Sequence, residues 1–315
     1  MGNQTVGFLG MTGKKTGQVV VLLGGTSSER EVSLVGGEAC AKALEKLGHD
    51  VMRLDPKLDG YGQLFDLHNV TVFNGLHGVP GEDGAVQGLL ESLGLPYTHS
   101  GVNASSVAMN KQQSRILFAE AGLPVAQGEQ GSWGVLTDEP VMEFPFVLKP
   151  LRDGSSVGVY IVMNGDDWQR LPRHAHAADQ LFLCEAFIDG PEYTVAVMDG
   201  RPLTVTEIQV SQGFYDYKAK YEQGGSTHIC PADMPEDLKI ECMGLAAEAH
   251  RVLGCRGVSR TDFRLDQHDG SIYILETNTQ PGMTPTSLVP EQAEAVGFAF
   301  EDLISWILED ASCDR

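Results

Sequence analysis

The sequence predicts a mixed α/β protein in which a parallel, helix-covered sheet comes first and antiparallel sheets follow. In the first hundred residues, short apolar runs alternate with segments of helical spacing across Gly-rich turns, as at residues 19–23 and the following Gly24 and Gly25. Such alternation is typical of a parallel sheet with helices on its faces. Beyond about residue 104, apolar runs are joined by tight turns such as 189–191, as in antiparallel hairpins. At 315 residues, the chain is long enough for two or three domains.

The individual elements follow from periodicity and from Gly or Pro breaks. In the first block we expect strands at residues 19–23, 50–54 and 70–73, a helix that ends near residue 48, and a helix at 84–93. In the second block we expect a helix at 104–121 and strands at 146–149, 159–163, 181–188, 193–198 and 203–209. A helix at 236–253, a hairpin at 257–278 and a C-terminal helix at 291–308 complete the chain.

Residues 211–227 form a polar, Gly-rich segment with three tyrosines and no helical period. Long segments of this kind in compact domains are usually functional. We therefore interpret residues 211–227 as a lid.

The charge balance excludes one broad class of function. The chain has 43 Asp and Glu against 22 Lys and Arg, a net charge of −21, and no basic run. A protein that coats nucleic acid or an anionic membrane needs a basic face, so we expect neither partner. Six scattered cysteines without a CxxC pair favour reduced thiols in a cytoplasm. We interpret residues 1–18 as a tail, since they lack the apolar run of a signal peptide.

The hairpin at 257–278 predicts a possible cation site. A three-residue loop at 268–270 would place Asp262 across from Glu276, and Arg260 across from Asn278. Because side chains alternate along a strand, all four would share one face. Two carboxylates and an amide oxygen suit Mg²⁺. The alternative is a solvated face with ordinary cross-strand ion pairs.

Three further features are weaker signals when each is taken alone. The Gly-rich loop at 154–158, close after Lys149, allows backbone N–H groups to approach an anion, although this loop alone favours a plain hairpin turn. The turn at 24–29 is a generic ligand-binding turn at a helix N-terminus and lacks the dinucleotide glycine pattern. His77 follows a strand, where ligands of open α/β sheets collect, but a lone histidine is usually structural.

Taken together and in order, these segments resemble the D-alanine:D-alanine ligase family of the ATP-grasp superfamily. The resemblance runs from about residue 19 to 308. It rests on residues 22–33, 76–78, 81–84, 108–111, 149–150, 154–158, 190–195, 214–221, 260–262 and 276–284.

The resemblance implies an ATP-grasp fold with an N-terminal α/β substrate domain at 19–103, a central ATP-grasp subdomain at 104–188 and a C-terminal one at 189–315. It implies ATP-dependent ligation of two D-alanine molecules through an acyl phosphate, for peptidoglycan precursor synthesis, by a cytoplasmic homodimer. Alternatives are a ligase that takes D-lactate or D-serine second, or a non-catalytic ATP sensor. An NAD-dependent oxidoreductase is disfavoured because the glycine fingerprint is absent.

The resemblance also implies how ATP and metal would be held. Phosphate-binding residues would be Lys111, Lys149, Ser155 and Lys220. Adenosine-binding residues would be Glu185, Phe187, Ile188 and Glu192. Two Mg²⁺ or Mn²⁺ ions would be bound by Asp262, Glu276 and Asn278. The resemblance is also compatible with an additional monovalent cation.

For the amino-acid substrates, the resemblance implies that Glu29 binds the ammonium of the first D-alanine and that His77 lies near its carboxylate. Ser287 and Leu288 would seat the second D-alanine. Arg260 and the backbone of Gly282 would stabilise the oxyanion, and a hydrogen-bonded triad would tie the first domain to the lid. The triad positions are Glu29, Ser155 and Tyr221. Ala186 and His99 depart from the residues usual in the family.

Overall fold

The structure is a computed structural model that describes residues 17–154, 157–210 and 225–313. Most of the predicted tail and of the predicted lid lies outside these residues, as do Ser155, Lys220 and Tyr221. Within the described ranges, every helix is too short or too polar to cross a membrane.

The first sheet is parallel, as the strand–helix alternation predicted. Its strand order is β2-β1-β3, and Tyr97 adds a parallel bridge to Val72 beside β3. The strands are β1 Val19–Leu22, β2 Val51–Leu54 and β3 Thr71–Asn74, and the helices of this block are α1 Arg30–Lys46, α2 Pro56–Asp59 and α3 Ala85–Leu93, with a 3-10 turn at Gly62–Asp66. All of β1 is buried, as expected for the central strand of a covered parallel sheet.

The predicted helix at 104–121 is in fact two helices. They are α4 Val102–Met109 and α5 Lys111–Glu120. The break falls at Asn110, which has extended backbone angles and accepts a hydrogen bond from the backbone N–H of Gln113 through its side chain. Asn110 thus caps α5, a role that favours Asn over helix-interior residues.

The second sheet is antiparallel with strand order β4-β7-β5-β6. Its elements are β4 Gly128–Ser132, α6 Trp133–Leu136, β5 Phe146–Pro150, β6 Tyr160–Val162, α7 Gly165–Arg170 and β7 Leu181–Ala186. The sequence analysis missed β4, whose composition has low strand propensity. It is an edge strand that pairs, among the described strands, only with β7. Its extended conformation therefore depends on this pairing rather than on its own residues.

The third sheet is antiparallel with strand order β10-β9-β8-β11-β12. Its strands are β8 Glu192–Met198, β9 Arg201–Val210, β10 Ser226–Ile229, β11 Val258–Leu265 and β12 Ile272–Asn278, and α8 Glu236–Val252 packs on one face. The predicted lid is therefore too long at its end, because Ser226 and Thr227 belong to β10. The predicted C-terminal helix is also two helices, α9 Leu288–Ala295 and α10 Phe300–Glu309.

The β11–β12 hairpin confirms the predicted register at the candidate metal site. Asp262 pairs with Glu276, and Arg260 pairs with Asn278. The four residues therefore share one face of the third sheet, opposite the face that α8 covers.

Nearer the turn, the predicted register is wrong. Leu265 pairs with Ile272, so the loop is one residue longer than expected, and a β-bulge at Leu275 absorbs the difference. Without this bulge, Ile272 and Ile274 would share the face of Glu276. With it, the two isoleucines pack in the core beneath α8, while Glu276 points into the opposite cavity.

The first sheet and the end of the chain share one hydrophobic core. Its buried side chains include Val19 and Phe73 from the first sheet, Ala196 and Val258 from the third, and Leu303 from α10. The domain boundaries at 103 and 188 stay a prediction, but α10 packs against the first sheet rather than only against its own segment of the chain.

Candidate active site

One polar cavity lies where the first sheet, the Gly-rich loop of the second sheet and the third sheet meet. Most of its lining comes from loops at strand ends, where open α/β folds collect ligands. Its lining includes Glu29, His77, Glu82, Gly154, Arg260, Glu276, Asn278, Gln280, Gly282, Ser287 and Leu288. The structure thus brings together many residues that the sequence suggested separately. An adjoining pocket is lined by Lys111, Asp153, Glu276 and Asn278.

Asp262 is held from two sides. Arg260 donates through Nε to Oδ1 at 2.8 Å and through Nη2 to Oδ2 at 2.7 Å, a bidentate pair. Thr194 on β8 donates its hydroxyl to Oδ1 at 2.6 Å. Both contacts fix the orientation of the carboxylate, which is 6% exposed.

Thr194 is itself anchored by a buried glutamine of α9. Gln292 accepts a hydrogen bond from the backbone N–H of Ala196 at 2.8 Å and donates to the carbonyl of Thr194 at 3.1 Å. These contacts fall where the register between β8 and β9 shifts. The carboxamide of Gln292 therefore supports the strand segment that orients Asp262.

Lys111 connects the metal-site face to the Gly-rich loop. Its Nζ donates to the carbonyl of Asp153 at 2.6 Å and lies 3.5 Å from Oε2 of Glu276. A cation therefore already faces each of the two carboxylates, Arg260 at Asp262 and Lys111 at Glu276.

The donor set fits Mg²⁺ bound together with phosphate. Among the described residues, no three His, Cys, Asp or Glu side chains converge on one point. Two carboxylates and the Asn278 oxygen leave several positions to phosphate oxygens and water, which is how Mg²⁺ is usually held beside nucleotides. The residues present fit such an ion.

The candidate adenosine region is built around a buried acidic residue. Glu185 on β7 pairs with Nζ of Lys149 on the adjacent strand β5 and lies 3.8 Å from Nε of Arg115 on α5. Arg115 also donates to the carbonyl of Ala126. Burial lowers the pKa of Arg115 below its usual value, while the charge of Glu185 opposes this effect. Lys149 and Glu185 thus form a buried ion pair between β5 and β7.

Glu192 lies at the start of β8. Nη2 of Arg264 donates to it at 3.1 Å, and the same guanidinium lies 5.8 Å from the ring centre of Phe187. Ile188, which follows Phe187 in sequence, is buried. Residues 187–192 therefore supply a planar aromatic ring, an apolar side chain and a carboxylate, which can receive a purine and a ribose.

Glu29 and His77 come together across two tight loops. Glu29 directly precedes α1 and is buried. A side chain at Gly78 or Gly154 would bring its Cβ to 3.1 Å from Oε2 of Glu29, so glycine at both positions allows a close approach to this carboxylate. Gly78 also has φ +66°, which favours glycine.

His77 is paired with Glu82, a residue to which the sequence analysis gave no role. Nδ1 of His77 lies 2.7 Å from Oε1 of Glu82. Burial lowers the pKa of His77, but the hydrogen bond and charge of Glu82 and the charge of Glu29 outweigh burial and raise it above its usual value. His77 is therefore more readily protonated than an ordinary histidine, which suits a carboxylate ligand.

Gly282 and Ser287 lie against each other at the start of α9. A Cβ at Gly282 would be 3.0 Å from Oγ of Ser287. Ser287 accepts a hydrogen bond from the backbone N–H of Thr284 at 2.9 Å, and Leu288 is buried against Ile208 of β9. The Gly282 backbone thus faces the cavity from a tightly folded turn.

The sequence analysis gave no individual role to several residues of the site. Arg115, Thr194 and Gln280 have partners that are distant in sequence and meet them only in the folded chain. Glu82 had a usable signal, since it follows His77 by five residues in a Gly-flanked loop. Of the predicted site residues, Ser155, Lys220 and Tyr221 lie outside the described part of the chain.

Comparison with known proteins agrees with this architecture. Residues 117–309 match the family model described as D-ala D-ala ligase C-terminus. The chain is 51% identical to D-alanine--D-alanine ligase of Dinoroseobacter shibae, over 97% of this chain and 99% of the relative. It is 50% identical to the enzyme of that name from Roseobacter denitrificans, over 98% of this chain and 96% of the relative.

Solved structures give the same result. A crystal structure of D-alanine--D-alanine ligase from Bacillus anthracis superposes with a TM-score of 0.80 at 31% identity, covering 93% of this chain and 97% of that chain. A crystal structure of D-alanine--D-alanine ligase from Bacillus anthracis complexed with ATP superposes with a TM-score of 0.78 at 28% identity, covering 93% of this chain and 96% of that chain.

The two antiparallel sheets, with Lys111 of α5 beside Glu276 in the cavity between them, form the ATP-grasp fold, and this chain is an ATP-dependent ligase by class. Among such ligases, the chain belongs to the D-alanine–D-alanine ligase family.

Proposed function

We propose that this chain joins two D-alanine molecules into D-alanyl-D-alanine with ATP, which is converted to ADP and phosphate. The observation that carries the proposal is the convergence of Glu29, His77, Arg260, Glu276 and the Gly282 backbone in one cavity. These groups are complementary to an amino acid, a phosphoryl donor and an oxyanion.

The first D-alanine would bind through its two charged ends. Its ammonium would pair with Glu29 and its carboxylate would lie near His77, whose raised pKa favours a positive charge. A carboxylate is a poor electrophile, so one of its oxygens attacks the γ-phosphorus of ATP. The bond from that phosphorus to the β-bridging oxygen breaks, leaving ADP and an acyl phosphate.

Phosphoryl transfer needs positioning and charge neutralisation. Lys111 and Lys149 would hold the phosphates, and Glu185 would keep Lys149 in place. Asp262, Glu276 and Asn278 would hold two Mg²⁺ or Mn²⁺ ions, which when bound neutralise phosphate charge. Lys220 would add a further phosphate contact.

The second D-alanine would be seated by Ser287 and Leu288. Its neutral amine attacks the acyl carbon and gives a tetrahedral intermediate. The intermediate collapses as the bond to the phosphate oxygen breaks, and the proton lost from nitrogen balances as hydrogen phosphate. Arg260 and the Gly282 N–H would stabilise the oxygen that becomes negative, and one such donor contributes about 10²–10³ in rate. A Cβ at Gly154 would lie 3.1 Å from Oε2 of Glu29, and Gly154 directly precedes Ser155 in sequence, which supports a triad of Glu29, Ser155 and Tyr221.

A coupled assay of phosphate release tests this function. We expect release that requires both D-alanine and Mg²⁺, with D-alanyl-D-alanine as product, and less product with D-lactate as second substrate. Glu276→Gln should abolish turnover without unfolding the protein, whereas Glu294→Gln on the exposed side of α9 should have no effect. No D-alanine-dependent release from the wild type would overturn the proposal.

The family resemblance also supports a homodimer that acts in the cytoplasm, where ATP is available. Light scattering should give twice the chain mass of 34.0 kDa. A mass equal to one chain at assay concentrations would contradict the dimer.

A further inference from the structure

A pair of buried carboxamides joins the first sheet to the loop that follows the third sheet. Nδ2 of Asn74, at the end of β3, donates to Oε1 of Gln280 at 2.7 Å, and Nε2 of Gln280 donates to the carbonyl of Leu76. Asn74 is fully buried and Gln280 is 4% exposed, although they are 206 residues apart in sequence. The oxygen and the nitrogen of the Gln280 amide are therefore both bonded to β3 or to the loop that follows it.

Each partner lies close to a different part of the proposed reaction centre. Leu76 directly precedes His77, which would face the carboxylate of the first D-alanine. Gln280 lies two residues after Asn278 and two residues before Gly282. The contact thus joins the loop that would hold the electrophile to the loop that would stabilise the oxyanion.

Asn74 is in turn held rigidly. Its Nδ2 also donates to the carbonyl of Gly81 at 3.0 Å, and its backbone N–H donates to Oγ1 of Thr98 at 3.0 Å. Gln280 therefore docks onto a fixed point of the first domain and not onto a mobile side chain.

We propose that Gln280 is a positioning residue that sets the distance between the Gly282 N–H and the acyl carbon of the first substrate. This inference rests on the proposed function. The carboxamide is required because its partners are one donor, Nδ2 of Asn74, and one acceptor, the carbonyl of Leu76. Methionine has a similar length but can satisfy neither partner, and a carboxylate would repel the carbonyl.

The test compares Gln280→Met with Gln87→Met. Gln87 is also a buried glutamine, and from α3 it donates to the same Gly81 carbonyl at 2.8 Å. Three quantities are measured: kcat/KM for D-alanine, the inhibition constant of a tetrahedral phosphinate analogue of the dipeptide, and the dissociation constant of a non-hydrolysable ATP analogue. Protein that is lost irreversibly through unfolding does not alter either binding constant, so both remain informative for a variant of which a part has unfolded in this way.

We expect Gln280→Met to lower kcat/KM by about 10- to 100-fold, since a misplacement of about 1 Å can cost 10²-fold. The inhibition constant of the phosphinate should rise by the same factor, because it mimics the state that Gly282 stabilises, while binding of the ATP analogue stays unchanged. Gln87→Met should leave all three constants as in the wild type.

An unchanged phosphinate inhibition constant in Gln280→Met would overturn this inference alone, as would an equal change in Gln87→Met. A wild type without D-alanine-dependent phosphate release would overturn the proposed function and this inference with it.

Discussion

Nδ1 of His77 and Oε1 of Glu82 are 2.7 Å apart in the loop that follows β3. The charges around this imidazole come from three elements: Glu82 on its own loop, Glu29 before α1, and Arg260 on β11, which opposes protonation. The two acidic residues prevail over burial and over Arg260, so the pKa of His77 lies above its usual value.

Replacement of Glu82 by Gln should lower the pKa of His77. If protonated His77 attracts the substrate carboxylate, kcat/KM for D-alanine falls as the pH rises through this pKa. In Glu82→Gln that fall should begin at a lower pH than in the wild type. The measurement is the pH profile of kcat/KM. Asp83→Asn removes one charge from the same loop and should keep the wild-type profile; coincident profiles for all three proteins would refute the role of Glu82.

Loss of the Thr194 hydroxyl should weaken metal binding. Thr194→Val keeps the shape of the side chain but removes the 2.6 Å hydrogen bond that orients Asp262. Residues that orient metal ligands typically contribute about 10–100-fold to metal affinity or activity, so the Mg²⁺ concentration for half-maximal rate should rise by about tenfold. Thr206, buried opposite Thr194 on β9, gives the control Thr206→Val. Equal Mg²⁺ dependence in both variants would contradict the prediction.

Loss of the Arg115 guanidinium should weaken ATP binding. In Arg115→Met, Glu185 keeps Lys149 as its only nearby cation among the described residues, and the two charges are free to shift from the geometry that receives the nucleotide. We expect KM for ATP to rise by about tenfold, equivalent to about 1.4 kcal/mol, with KM for D-alanine unchanged. Arg170→Met, which removes an exposed ion pair with Asp167, is the control. An equal rise in KM for ATP and in KM for D-alanine would contradict the prediction.

His99 should make the protein less stable in acid. Burial, with the charges of Arg256 and His77, lowers the pKa of His99 to about 3. Between pH 7.5 and 5.5 the unfolded chain gains a proton at this residue while the folded chain does not, so the free energy of unfolding falls. The loss at pH 5.5 is about 1.4 kcal/mol for one histidine of ordinary unfolded pKa.

His99→Asn should lack this loss, and Asn tolerates the left-handed backbone of residue 99, where φ is 68°. Urea unfolding at the two pH values measures the difference. His268→Asn, at an exposed histidine, should keep the wild-type pH dependence. An unaltered pH dependence in His99→Asn would show that residue 99 is not responsible.

The sheets and the metal-site register could be predicted because they depend on local periodicity. The pairing of Asp262 with Glu276 was predicted from a loop that is one residue too short, and it held because the bulge at Leu275 compensates. That bulge depends on the burial of Ile272 and Ile274 beneath α8, which local periodicity does not encode. The helix break at Asn110 did have a local signal, a capping residue, but apolar spacing on both sides concealed it.

The contacts that order the site were beyond sequence reasoning. Asn74 with Gln280, and Arg115 with Glu185, are amide and ion pairs between segments brought together only by tertiary packing. A buried Gln or Arg has no characteristic spacing, and its partner can be any complementary group within reach. Such pairs become visible only when the backbone is in place.

The core shared by β3 and α10 affects how the nascent protein is made. Phe73 packs in the same cluster as Leu303, roughly 230 residues later, which the ribosome takes about 10 to 50 seconds to synthesise. During that interval the face of the first sheet that carries Phe73 is covered only in part, by α1 side chains such as Leu44. The N-terminal half therefore emerges with part of its apolar surface exposed, and its final packing must follow translation of the last helix.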